Sequence, residues 1–195
     1  MSSVKIQGDS SGTGVFTIAT PNTNVDRSIT IPDKAGAIAI GAGTIVQVVQ
    51  GTTTTEVTVN TTTYTDTTLS ASITPSSSTN KILIMVMQSC VNTRSTTSVG
   101  HGIRLLRDST VVWTPQESAT GPFMWYNNTA GASSNELDGT FLVNYLDSPS
   151  TTSSVTYKTQ GRPHATANSG VVHYQYTQVS YTTQVSTILL MEVVA

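Results

Sequence analysis

Lys81-Ile82-Leu83-Ile84-Met85-Val86-Met87-Gln88-Ser89-Cys90-Val91 contains the longest apolar run of the chain. Ile82–Met87 is far short of the ~18 apolar residues of a membrane helix. It has the length and composition of a buried strand. Its two parities are both apolar, and so are those of a second run, Ile188-Leu189-Leu190-Met191. Elsewhere the strands alternate. Phe141, Val143 and Tyr145 point one way within Gly139–Leu146, and Val155 and Tyr157 do so within Ser154–Gln160. An alternating strand has one core face and one wet face. Two strands apolar on both faces ask for cover on their outer side, and a second copy of the same domain is the economical cover. This pattern predicts a homo-oligomer with Ile82, Ile84, Met85, Met87, Leu189, Leu190 and Met191 at its interface.

Outward from that run, turn signals recur at short intervals: Pro75–Asn80, Arg107-Asp108-Ser109, Asn127–Gly131 and Asp147–Ser150. They separate about eleven short strands in the part of the chain after Gly43, the signature of an antiparallel sandwich or jelly roll. Composition agrees. The 195 residues include 36 Thr and 24 Ser but only four Lys and four Glu. Thr suits a pleated, half-buried surface, and good helix formers are scarce. The expected fold is all-β.

A break at Gly41-Ala42-Gly43 divides the chain into a small β module, residues 1–43, and a knob, residues 44–195. The module has too few large apolar groups to bury a core alone. Phe16, Ile18, Ile29 and Ile31 therefore need a partner surface, and the module is expected to be an attachment segment, dispensable for folding of the knob.

The chemistry-bearing residues are sparse. The net charge of −2 offers no polybasic face for nucleic acid or an acidic membrane. MSSVKIQGDSSG lacks the basic and apolar regions of a signal peptide. His101, His164 and His173 have no metal-ligand spacing. There is no G-x-S-x-G elbow, no phosphate-binding Gly-Lys-Ser/Thr, and no pair of carboxylates with a reason to meet. Cys90 is the single cysteine, so no intrachain disulfide forms, and it reads as a small core residue. These absences predict a protein that is not an enzyme and needs no metal, cofactor or reductant. One cluster stands out. Trp125-Tyr126-Asn127-Asn128 runs into a loop rich in Gly, Ser and Asn. Flat rings beside amides suit a glycan, which stacks on one and hydrogen-bonds to the other; equally, the rings fill the end of a sandwich core.

Two stretches resemble known proteins. Gly12-Thr13-Gly14-Val15-Phe16-Thr17-Ile18-Ala19-Thr20-Pro21, followed by Arg27-Ser28-Ile29-Thr30-Ile31-Pro32-Asp33-Lys34-Ala35-Gly36, resembles a short module of tailed-bacteriophage fibre proteins, of the marine and cyanobacterial type. Leu69–Ile84, Leu105–Thr110 and the terminal Met191-Glu192-Val193 resemble the C-terminal β-domain of such proteins. The resemblance covers about 45% of the chain. It implies a non-enzymatic virion protein, usually a trimer, here arranged like a tumour-necrosis-factor-type jelly roll. Its partners would be other virion proteins, the major capsid protein or a tail component, and in one variant a host surface glycan. The module occurs once, directly before the knob, which favours a short fibre or capsid decoration protein over a long tail fibre. No functional residues are carried over from the family.

Overall fold

A computed structural model describes residues 41–94, 99–118, 121–122, 125–127, 135–164, 171–177 and 183–195. All lie in the second of two units into which the chain divides, Ala39–Ala195. Phe16, Ile18, Ile29, Ile31 and Asn128 lie outside the described residues.

The described residues contain strands and no helix. In chain order the strands are β1 (Ile45–Thr53), β2 (Val57–Val59), β3 (Thr65–Ile73), β4 (Lys81–Arg94), β5 (Val99–Arg107), β6 (Thr110–Trp113), β7 (Glu117–Ser118), β8 (Gly121–Pro122), β9 (Trp125–Asn127), β10 (Asn135–Asp147), β11 (Val155–Pro163), β12 (Val171–Tyr174) and β13 (Ser186–Val193). They build two antiparallel sheets packed as a β-sandwich. The first is ordered β1-β13-β4-β12-β2, with β10 on the other edge of β4; the second is ordered β3-β11-β5-β6, with β9 also on β5. A two-stranded ribbon, β7-β8, pairs with neither sheet, though β8 lies against β5 and β11.

The strand that starts at Lys81 is the spine of the first sheet. β10 pairs along nearly its whole length, from Ile82 to Arg94. Its other edge is shared: β13 takes Lys81–Met87, and β12 takes Cys90–Thr93. Where those two partners part, the apolar run gives way to Gln88. This side chain is fully buried, yet each of its ends is satisfied. Its Oε1 accepts from the hydroxyls of Thr67 (3.1 Å) and Thr159 (2.8 Å), and its Nε2 donates to Ser186 Oγ at 3.0 Å. Ser186 Oγ also accepts from the Ser89 N–H at 2.9 Å. A buried polar group left unpaired would cost about 1–3 kcal/mol, so this network holds the fork only because all members are bonded.

The core lies between the sheets. Leu69, Ala71 and Ile73 of β3, Ile103 and Leu105 of β5, and Val155 and Tyr157 of β11 face Ile82, Ile84, Val86, Phe141, Val143, Ile188 and Leu190. Period-2 alternation puts each set on one face. Tyr174 from the first sheet fills the notch above Gly161 of the second, where an added Cβ would fall 2.0 Å from the phenol oxygen. The phenol donates to Gly102 O at 3.2 Å.

One buried carboxylate closes the end of the sandwich. Glu192, fully buried, faces the turn after β3. Its Oε1 accepts from Ser76 N–H, Ser76 Oγ and Asn80 Nδ2, each at 2.7 Å, and its Oε2 from Gln47 Nε2 at 3.1 Å. Burial by itself raises the carboxyl's pKa; the bonds from Asn80, Ser76 and Gln47 outweigh it and hold the group below its ordinary value. A lowered folded-state pKa means that the unfolded chain takes up the proton first. The stabilisation is therefore complete above pH ~4.5 and is lost as pH falls through the folded-state value. Glu192→Gln is expected to cost about 1–3 kcal/mol at pH 7, the scale of hydrogen bonds to a charged group. It should also flatten the acid limb. Urea unfolding of both proteins between pH 3 and pH 6 checks this; equal acid limbs would remove Glu192 from the account.

Candidate interaction face

The outer surface of the first sheet is built row by row by strand register. Leu142, Met87 and Thr187 lie opposite one another on β10, β4 and β13. The next row is Asn144, Met85, Leu189 and Gln50, the last on β1. The third is Leu146, Leu83, Met191 and Val48, apolar throughout. Ile45 and Val193 extend the face beyond it. Several of these side chains are open to water: Leu142 is 73% exposed, Val48 57%, Leu146 49%, and Met85 and Met87 about 40%. A groove of about 290 Å³ runs between Met85, Met87, Leu142 and Leu189. Four strands about 4.8 Å apart and three rows about 7 Å apart give a footprint of a few hundred Å², the size at which an apolar patch marks an association site.

The expected interface is corrected by this geometry. Ile82, Ile84 and Leu190 are fully buried inside one chain and cannot touch a second copy. Met85, Met87, Leu189 and Met191 share the outer face. The upper half of β4 also departs from expectation: Ser89, Cys90, Val91 and Asn92 are all buried within the chain itself, so burial of both parities there needs no second copy. Leu142, Leu146 and Val48 belong to the outer face and were not in the expected set. Their signal was the second parity of Gly139–Leu146, where Leu142 and Leu146 stand on the side opposite Phe141, Val143 and Tyr145.

The structure also brings together residues with chemical potential that the chain separates. Cys90 Sγ lies 3.1 Å from His101 Nε2, and Asn92 Nδ2 lies 3.3 Å from His101 Nδ1. These are the residue types of a cysteine-nucleophile triad, but all three are buried. Desolvation, with the nearby charge of Asp138, pushes the thiol up to about 12, and desolvation pushes the imidazole down to about 3. A nucleophile needs thiolate and access; this pair has neither. Cys90 should resist a thiol reagent in the native protein and react fully only in denaturant. Rapid labelling of the native protein, followed by absorbance, would contradict the sealed geometry. His101 is a strand residue whose ring packs edge-on against Phe141 at 4.9 Å. His173 is partly buried and lies 3.0 Å from Glu56.

Trp125, Tyr126 and Asn127 form β9, whose backbone pairs with Val99–His101 of β5. Among the described residues no group of three His, Cys, Asp or Glu side chains is placed to hold a metal ion, and no helix is long and apolar enough to cross a membrane. No protein-family model matches the chain, and no curated protein matches its sequence.

Proposed function

We propose that this chain is a non-enzymatic structural protein of a tailed-phage virion, a short trimeric surface fibre or capsid decoration protein exposed on the particle. Residues 44–195 form the displayed knob, a jelly-roll-like sandwich that trimerises in the manner of tumour-necrosis-factor-type domains. Residues 1–43 attach it to the major capsid protein or a tail component. The assembly part is carried by the apolar outer face of β1, β13, β4 and β10, whose occupant is a second copy of the chain. A sheet face with Leu83, Met85, Met87, Leu142, Leu146 and Met191 loses hydration cost when covered, at about 25 cal/mol per Å² of apolar area. The virion part is supported by the resemblance of residues 12–40 and 69–84 to phage fibre proteins.

Sedimentation equilibrium at micromolar concentration is expected to give about three times the 20.6 kDa chain mass. A chain beginning at Thr44 is expected to fold and assemble but not to join virions. A species of single-chain mass alone would remove the assembly reading, and incorporation of the shortened chain into particles would remove the attachment role of residues 1–43.

A further inference from the structure

The two outer faces of the sandwich differ in chemistry. The second sheet turns outward a polar network held by strand register. Gln160 of β11 lies opposite Asp66 of β3 and Arg104 of β5. Its Oε1 accepts from Arg104 Nε at 2.9 Å and Nη2 at 2.6 Å, while its Nε2 donates to Asp66 Oδ1 at 2.6 Å. Lys158 Nζ donates to Asp66 Oδ2 at 2.8 Å. The Arg104 guanidinium carbon stands 4.2 Å from the centroid of the Tyr64 ring, and that of Arg162 stands 5.0 Å from it. Arg162 Nη1 also donates to Thr62 O at 3.0 Å. The carboxylate at hand, Asp66, bonds Lys158 and Gln160 instead of Arg104. Arg104 is thus fixed by a neutral amide and a ring, and its Nη1 takes no part in either Gln160 bond. Lys158 bonds Asp66, and Arg104 and Arg162 stand over Tyr64, so three of the nine cations of a chain with net charge −2 lie on this face.

We infer that this face binds an acidic sugar, a hexuronate unit of an oligosaccharide, with Arg104 receiving the carboxylate and Tyr64 positioning the guanidinium. A planar, prefixed guanidinium loses little freedom on pairing with a carboxylate. The neighbouring groups select the class of anion. Asp66, its side chain 52% exposed, accepts from hydroxyls and repels a polyanion that has none to offer. A uronate oligomer has one carboxylate per hexose with hydroxyls between, and matches the alternation of Arg104 with Asp66 and Gln160. A nucleic acid backbone does not. The site is on the sheet opposite the apolar face, so it does not depend on assembly.

The test is calorimetric titration with hexamannuronate, with maltohexaose as the uncharged counterpart and a ten-residue thymidine strand as the polyphosphate. The uronate is expected to bind at least about tenfold more tightly than either. Arg104→Gln and Arg104→Lys should each lose at least about tenfold, the worth of one good charged hydrogen bond. Tyr64→Phe should keep affinity and Tyr64→Leu should lose it, because the ring and not the hydroxyl holds Arg104. Binding should persist in Met85→Lys, which separates this site from the assembly face. No binding of hexamannuronate, equal binding of maltohexaose or the thymidine strand, or full affinity in both Arg104 variants would overturn the inference.

Discussion

Met85→Lys is expected to give a folded single chain that no longer assembles, whereas Leu190→Lys is expected to give no folded protein. Both residues belong to stretches that are apolar on both parities, and they are near neighbours: Met85 pairs with Leu189, one residue away. What separates them is direction. Leu190 is fully buried between the sheets. An ammonium there loses hydration and gains no partner, and it folds only by giving up its proton, at a cost of several kcal/mol. That is comparable with the entire net stability of a domain, about 5–15 kcal/mol. Met85 is 40% exposed. A lysine at that position keeps its stem on the sheet and its charge in water, so within one chain the change costs about 0.5 kcal/mol. Across an interface between copies the same charge would be desolvated, several times over in a trimer. Circular dichroism melting and sedimentation together decide the matter. An intact oligomer of Met85→Lys would show that the face is not the interface. A stable, cooperative Leu190→Lys would show that β13 presents its other face to the core.

Gly51→Ala should be the most damaging of the conservative substitutions. Gly51 lies on β1, opposite Ile188 of β13. An added Cβ would stand 2.1 Å from the carbonyl oxygen of Ser70 on β3, in the other sheet, and 3.0 Å from Ile188 Cγ2. A side chain can rotate away from such a contact, but a backbone carbonyl within a paired strand cannot. Relief requires β1 to leave β13 or the sheets to part, so the cost should reach or exceed the upper end of the usual ~1–3 kcal/mol for overpacking. Gly161→Ala is the informative contrast. Its clash is with the Tyr174 ring, so shortening Tyr174 to Leu should recover part of the loss, whereas no change of a Ser70 side chain can rescue Gly51→Ala. Urea midpoints of the three variants check this, and a Gly51→Ala midpoint within error of the parent would refute the close approach of β1 and β3.

Much of the architecture was legible because strands carry a period of two and turns carry Gly, Pro, Asn and Ser. The run from Lys81, the alternation of Phe141, Val143 and Tyr145, and the lack of helix formers were enough for an antiparallel sandwich. The candidate face was legible only in part. Met85, Met87, Leu189 and Met191 were in view as apolar residues, but Ile82, Ile84 and Leu190 looked the same. The aromatic segment Trp125–Asn128 drew attention because its residues are adjacent in sequence. The group around Tyr64 did not, since Tyr64, Arg104 and Arg162 are separated by tens of residues and meet only through the pairing of β11 with β3 and β5.

The sequence by itself determined that this chain would be β, antiparallel and built around two strands apolar on both sides. Those properties follow from local spacing and from which residues tolerate a pleated backbone. Tertiary structure decided which side of each strand is core. A parity of two distinguishes two faces without naming either, and only the second sheet, arriving with Leu69, Ile73 and Tyr157, makes Ile84 and Leu190 interior and leaves Met85 and Leu142 outside. It likewise decided the ionisation of distant groups. Cys90 and His101 are neutral because the sandwich excludes water around them, and Glu192 stays charged because the turn from Ser76 to Asn80 folds back and brings its donors.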